Sequence, residues 1–508
     1  MAASPESEPT AVQARRERLL TRLGGGSLRT HTAGGVLING AWSIGLQGLG
    51  FLRGFIVAAF LAPHDYGVWA IIVVGYSMLG VLRQVGIGDK YVQQDDPDEE
   101  AAFQKAFTLE AILSGGLWLI LMLFTPVVAL IYRAPEIVAP GLIALLAMPG
   151  AILQTPVWAY HRDMDFRRER RLTAIDPIVA MVVTAGLAIA GAGYWSFAIG
   201  NVAGTWAGAI VILRHAPYPL RFRYDRGTAR SYVKFSTPLL LSNLSSIVLV
   251  QGTTLFARSA VGIAGVGALA LANSVRTYTA FADGIISASM YPAICAMKDR
   301  RAVLHESFVK SNRLALMWGF PVGIGVALFG GDLIHFVLGD RWQFAVTLFQ
   351  AVGIVSAIGH LAFNWDNYVR AVGDTKPVAV YAWIGLLGWA AGPVPLLLAD
   401  GLRGYGIGLF VVALLNLVVR AHFMRRFFPG FAIWRHALRA IAPTVPAVGA
   451  VLLLRLVESP ARPFGLVVGE VAVYVGVTAA ATWLTERALL REAIGYLRRS
   501  RGLSPSPA

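Results

Sequence analysis

The chain has 508 residues, of which 56% are hydrophobic and only 14% charged, against roughly a quarter charged in soluble domains. The apolar residues come in runs of about 20, long enough to cross a bilayer, which excludes a soluble multidomain enzyme. The formal net charge of +15 is then a matter of membrane topology before it is one of nucleic acid.

In chain order, residues 1–33 form a polar, Arg-containing tail with no apolar core of its own, so a cleavable signal peptide is not expected. About fourteen apolar segments follow, near 34–62, 66–87, 104–132, 136–157, 173–191, 194–213, 236–257, 264–292, 312–337, 344–366, 377–399, 403–423, 437–457 and 464–485. The first and eighth exceed the length that a bilayer needs and must tilt or project. Prolines at 126, 149, 156, 238 and 321 fall within or beside these segments, where they remove backbone donors and can kink a span.

Roughly three quarters of the 44 Lys and Arg lie in the two tails and the even-numbered loops. Basic residues stay cytoplasmic, so both termini are expected there. The densest runs are Arg167–Arg171, Arg221–Lys234 and Lys298–Arg301, explained by topology and contact with anionic lipid. The outward loops are short, as at 62–65 and 191–193. That leaves no room for the outward domain of a membrane glycosyltransferase, polymerase or O-antigen ligase.

Residues 235–292 parallel 34–87 in organisation. Each begins with a long Gly-, Ser- and Asn-containing helix. Each continues through a Gly-containing connection, Tyr66-Gly67 or Gly265-Val266-Gly267, into a helix that bears an Arg. Such repeats characterise secondary transporters, with the substrate site between them. The expected organisation is a cytoplasmic tail (1–33), an N-lobe of six helices (34–213), a basic cytoplasmic linker (214–235), a C-lobe of six helices (236–425), two further helices (426–485) and a cytoplasmic C-terminal tail (486–508). The fold class expected is an all-α polytopic membrane protein with about 14 transmembrane helices.

Several stretches carry a resemblance. Phe60-Leu61-Ala62-Pro63-His64-Asp65-Tyr66-Gly67-Val68-Trp69 is similar to the junction between helices one and two of Wzx-type oligosaccharide flippases. These belong to the multidrug/oligosaccharidyl-lipid/polysaccharide exporter superfamily. Gln84-Val85-Gly86-Ile87-Gly88, Ala190–Ser196, Leu338-Gly339-Asp340-Arg341-Trp342 and Arg370–Pro377 resemble further pieces of the same pattern. The resemblance spans roughly residues 34–425. It implies two six-helix bundles around a central cavity that opens alternately to each face, plus two C-terminal helices. Its implied substrate is an undecaprenyl-diphosphate-linked oligosaccharide, moved from the cytoplasmic to the periplasmic leaflet of a bacterial inner membrane for O-antigen, capsule or exopolysaccharide synthesis. Many relatives carry an Asp midway along helix seven, where this chain has Gln251-Gly252-Thr253-Thr254.

Charged groups inside apolar segments are costly and usually face a cavity or a partner. On the first segment Asn39, Ser43, Gly50 and Arg53 fall in one sector about 80° wide at 100° per residue. On the eighth, Asn273, Arg276, Thr277, Ala280, Asp283, Gly284 and Ser287 form a similar stripe. Guanidinium forks suit a diphosphate, so Arg53 and Arg276 are candidates for headgroup capture. Arg83 would stand nearer the cytoplasmic mouth, and Asn39, Asn273, Asp283 and Gln251 would line the cavity. The bland alternative for each Arg is a helix-end carbonyl or an interfacial position. Glu110 reads as interfacial, Asp366 as interfacial or a cavity acid, and Glu470 as locally paired. His360 reads as a hydrogen-bonded packing histidine, with proton coupling as the alternative because an imidazole is titratable near neutral pH. Asp163-Met164-Asp165 matches a metal–nucleotide-sugar pattern but sits in a short basic loop with nothing to complete a site.

Cys295 is the only cysteine, which rules out an intramolecular disulfide, and the histidines show no metal spacing. No cofactor, metal or nucleic acid is expected. The expected partners are the polyprenyl-diphosphate-linked oligosaccharide, membrane lipids and a polysaccharide polymerase. The function expected is a flippase rather than an enzyme. A peptidoglycan lipid II flippase is the nearest alternative, and a cation-coupled multidrug exporter, which would want acidic cavity residues, is more distant.

Overall fold

The computed structural model describes residues 42, 45–46, 48–50, 52–80, 87–93, 96, 98–163, 165–230, 244–280, 283, 284, 287, 290, 294, 295, 299–374, 376–429, 433–457 and 462–501. Among these residues every regular element is helical, and helices stand at the place of each segment picked out by hydropathy. Nine are long and apolar enough to cross a membrane by length and composition, from Glu99–Ile131 to Phe464–Arg491. Shorter apolar helices occupy Gly48–Phe60 and Thr444–Val457. The protein is a multi-pass all-α membrane protein. It divides into two compact units, Met1–Arg53 with Val68–Gly252, and Gly54–Gly67 with Thr253–Ala508.

In the first unit the helix Glu99–Ile131 has 33 residues. At 1.5 Å per residue it runs about 50 Å, more than the ~30 Å hydrocarbon layer, so part of it stands outside. Its start is capped by Asp98, whose carboxylate accepts from the Ala101 N–H at 2.9 Å. Around this end Tyr91, Phe103, Phe107 and Tyr218 form an aromatic cluster. The chain after Arg214, expected as a linker, begins by packing here. The Tyr218 hydroxyl donates to Glu99 Oε2 at 3.0 Å, and the Arg223 N–H donates to Thr108 Oγ1 at 2.7 Å. Burial and the neighbouring Glu99 carboxylate push the Tyr218 phenol well above its usual pKa.

The fourth segment is not one continuous helix. It is built from Pro135–Ile137, Val138–Leu145, Ala147–Ile152 and, beyond residues 153–156, Val157–Arg162. Pro140, Pro149 and Pro156 withhold the donors a single helix would need. The hairpin Ile175–Ile189 with Trp195–Arg214 packs through Gly200, Gly204 and Gly208. Side chains at these positions would overlap Thr184 and Asp176 on the facing helix, a small-xxx-small seam. The Asp163–Asp165 motif has a local use, since Asp165 caps the helix Phe166–Thr173 by accepting from the Arg168 N–H at 3.1 Å.

In the second unit, two stretches nearly 300 residues apart meet. Trp342 Nε1 donates to the Ala58 carbonyl at 3.1 Å, and the Arg341 guanidinium donates to the carbonyl of Ala59. The Trp342 ring meets Tyr66 edge-on, with centroids 5.9 Å apart. Beside them Gly67 lies against the Ile263 carbonyl and Gly267 against the Pro63 carbonyl, so that a Cβ on either would overlap a backbone oxygen. The expected turn at Gly265-Val266-Gly267 lies elsewhere. The helical run Leu244–Thr279 breaks at Gly262, with φ 70° and ψ −174°, a backbone region essentially closed to residues with a Cβ. Residues 265–267 are already helical and provide close packing instead.

The last helix, Phe464–Arg501, docks on Arg301–Leu333 through three polar contacts. Glu486, 3% exposed, takes both sides of the Arg313 guanidinium. The Tyr474 hydroxyl donates to the Pro321 carbonyl at 2.7 Å. Glu470 and Asp332 share Arg455 and Arg462, with contacts of 2.7–3.1 Å. Glu470 is thus locally paired, as its position outside the two lobes implied.

Two stability predictions follow from these contacts. Gly67→Ala should destabilise the purified protein by about 1–3 kcal/mol through overpacking. An unchanged melting temperature would disprove the close approach. Arg455→Ala should cost about 3–5 kcal/mol by stranding buried carboxylate charge. Combining it with Asp332→Asn should recover part of that loss, and strictly additive losses in detergent melts would show that the four groups do not act as one network.

Candidate functional site

The second unit contains a polar cluster at a helix break. The helix Val346–Gly359 stops inside the segment expected to run to residue 366. Residues 360–364 form turns, and Ala362 adopts φ 56°, unfavourable for a residue with a Cβ. The chain becomes helical again at Trp365–Ala371. In hydrocarbon the freed carbonyls need partners, and Arg420 on the helix Pro393–Phe427 supplies them. Its Nη1 donates to the Gly359 and Leu361 carbonyls at 2.7 and 2.9 Å. Its Nη2 donates to the Tyr381 hydroxyl at 2.9 Å, and the guanidinium carbon lies 5.4 Å from that ring's centroid.

Between those carbonyls stands His360, 2% exposed. Its Nδ1 is 2.5 Å from Asp283 Oδ2. The imidazole Nε2 and Asp283 Oδ1 are buried and have no hydrogen-bond partner among the described residues. A cavity of about 500 Å³ adjoins the pair, lined by Asp283, Ser287, Asp366, Arg370, Tyr381 and Arg420 among others. Asp366 and Arg370 pair across one helical turn at 3.0 Å. Deeper in the same unit the Asn312 amide donates to Asn364 Oδ1 at 2.8 Å, and the Asn364 amide donates to the Ser311 hydroxyl at 3.0 Å. These contacts fix the far side of the break.

The expected site residues are dispersed. Asn273, Arg276 and Thr277 are exposed on one face of the helix Leu244–Thr279, while Asp283 turns to His360. Arg53, half-buried, lies with its guanidinium carbon 5.8 Å from the centroid of Phe197, which stacks on Trp69. Gln251 is committed to helix contacts: its Oε1 accepts from the Tyr132 hydroxyl at 2.8 Å, and its Nε2 donates to the Val74 carbonyl at 2.5 Å. Where the resemblance led to an acid midway along helix seven, this amide bridges helices instead. Glu110 is 4% exposed and accepts from the Ser114 hydroxyl at 2.6 Å. Asn39 and Arg83 lie outside the described residues. Arg420 and Tyr381 escaped sequence reasoning. An Arg near the end of an apolar segment was the available signal for the first, and nothing marked the second.

Comparison with known proteins agrees with this architecture. Residues 56–347 match the family described as "Polysaccharide biosynthesis protein". The succinoglycan biosynthesis transport protein ExoT of Rhizobium meliloti (strain 1021) is 22% identical over 366 residues, 69% of this chain and 71% of that protein. The teichuronic acid biosynthesis protein TuaB of Bacillus subtilis (strain 168) is 20% identical over 348 residues, 60% of this chain and 68% of that protein. Among solved structures, lipid II flippase MurJ in an inward closed conformation superposes with a TM-score of 0.70 at 12% identity, covering 90% of this chain and 100% of that one. An inward-facing multidrug resistance MATE family transporter of the MOP superfamily gives 0.59 at 15% identity, covering 76% and 96%. These two likenesses are of fold. The family match covers more than half of the sequence, and this chain belongs to the polysaccharide biosynthesis protein family.

Proposed function

We propose that this protein is a flippase for a polyprenyl-diphosphate-linked oligosaccharide, carrying it from the cytoplasmic to the periplasmic leaflet of the inner membrane by alternating access. The product would enter a surface or secreted polysaccharide. The observation that carries the reading is Arg276, an exposed guanidinium on an apolar helix, sharing its face with exposed Asn273 and Thr277. A helix with a purely structural task would gain by carrying Leu there, since Arg at the centre of a span costs about 2.5–3.5 kcal/mol on insertion scales.

A diphosphate presents oxygen pairs that a planar guanidinium meets with two parallel hydrogen bonds. Arg53, lying against Phe197, is the second candidate for headgroup capture, and Arg83 and Asn39 complete the proposed set on sequence grounds. Chain breaks at Gly262 and at Asp400–Gly401 are places where helices can reorient during a cycle. The names of the relatives, which concern succinoglycan and teichuronic acid, favour a secreted glycan over a peptidoglycan precursor as cargo. No enzymatic step is proposed, because flipping makes and breaks no covalent bond.

Two outcomes test the proposal. A strain lacking this protein, with no redundant flippase, should accumulate lipid-linked repeat units facing the cytoplasm and lose its surface polysaccharide. Normal polysaccharide in that strain would overturn the assignment. In proteoliposomes Arg276→Ala should slow flipping of a labelled polyprenyl-diphosphate oligosaccharide by roughly 10- to 150-fold, the equivalent of one charge-assisted hydrogen bond. Arg276→Lys should recover only part of the rate, since lysine supplies charge without the fork. Wild-type flipping by well-folded Arg276→Ala would place headgroup capture elsewhere.

A further inference from the structure

The cluster at residues 360–364 has a property that helix capping does not explain. Arg420 is committed to two carbonyls and a phenol, and among the described residues the only ion pair made by Asp283 is with His360. The pair therefore stands without a bridging cation. Its close contact of 2.5 Å requires a proton between the two atoms, and the outer atoms, His360 Nε2 and Asp283 Oδ1, have no hydrogen-bond partner among the described residues. Asp283 also lines the adjoining cavity, which offers a route for water.

We propose that Asp283 and His360 form a proton-binding site that couples transport to a proton gradient. Building on the flippase reading above, this inference names the ion that drives the same protein. In the empty state a neutral imidazole donates its Nδ1–H to the carboxylate, and the pair carries one negative charge. One proton taken from cavity water, entering at the Asp283 carboxylate, brings the pair to zero net charge. It resides on the outer carboxylate oxygen, Oδ1, while the Nδ1–H stays in the Nδ1–Oδ2 contact, and it returns to water on release, with no other bond made or broken.

The charged and titratable groups facing the pair are Arg420 from Pro393–Phe427, Tyr381 from Lys376–Ala391, and the Asp366–Arg370 couple from Trp365–Ala371. Asp366 and Arg370 cancel each other, and Arg420 stays charged over the whole physiological range. The helix Arg301–Leu333 presents Gly319, whose lack of a side chain makes room for the imidazole. The local field thus comes from groups that keep their charge, leaving the Asp283–His360 pair to take up and release the proton.

The test uses full-length protein in lipid bilayers with ¹⁵N-labelled histidine. The resonance missing from His360→Gln identifies His360. In the wild type it should titrate between about pH 5 and 8, and Asp283→Asn should move the midpoint. A His360 signal constant from pH 5 to 9, or a midpoint indifferent to Asp283→Asn, overturns the proposal.

Flipping of the labelled polyprenyl-diphosphate oligosaccharide, with and without a one-unit pH gradient, is the second arm. One coupled proton allows up to about tenfold accumulation per pH unit. In Asp283→Asn and in His360→Gln the ratio with and without the gradient should fall to one, whatever the absolute rate. Wild-type flipping that ignores the gradient also overturns the proposal. A wild type that flips no substrate overturns the flippase reading instead, and the imidazole titration then decides the proton site by itself.

Discussion

A bilayer provides no partner for a free carbonyl, and this single constraint governs how the second unit can be built. A helix that stops in hydrocarbon exposes acceptors whose burial costs several kcal/mol each unless they are met. The break at residues 360–364 is tolerable because Arg420 reaches it from another helix and donates to the carbonyls on either side of His360. Two costs offset each other here. The guanidinium would be expensive in lipid by itself, and so would the open carbonyls. Bringing them together makes a polar locus in an apolar environment and lets an imidazole and a carboxylate share it.

Close packing sets the second requirement. Membrane helices gain little from hydrophobic burial against one another, so they rely on small residues and specific hydrogen bonds. Gly200, Gly204 and Gly208 in one unit, and Gly67 and Gly267 in the other, allow backbones to touch. The indole of Trp342 and the guanidinium of Arg341 then close the junction by donating to consecutive carbonyls, those of Ala58 and Ala59. These contacts join segments that carried the family resemblance. Two of the stretches that carry the resemblance thus meet in the fold.

Much of this was legible beforehand, and what was not has a physical cause. Hydropathy located the helices because a span must be apolar along its whole length. Glu470 was readable as locally paired because it sat outside the two lobes. The partners of Asp283 and Glu486 were not readable, since contacts 77 and 173 residues apart leave no mark in sequence spacing. His360 looked like a packing residue, and its weight changed only when a carboxylate appeared beside it. The misplaced turn has a simpler origin. Gly262, Gly265 and Gly267 are indistinguishable by composition, but only the first takes a positive φ, whereas Gly267 serves close approach. Asn273, Arg276 and Thr277 are all exposed, as their spacing along one helix allows.

The four-charge network holding the last helix has an electrical consequence. Two carboxylates and two guanidiniums sum to zero. Moving one unpaired charge through a 100 mV membrane potential involves about 2.3 kcal/mol, but a neutral quartet displaced as a body does almost no net electrical work. The network that fastens the final two helices to their neighbour therefore neither opposes nor harvests the voltage. Its ion pairs fasten them mechanically and are electrically silent.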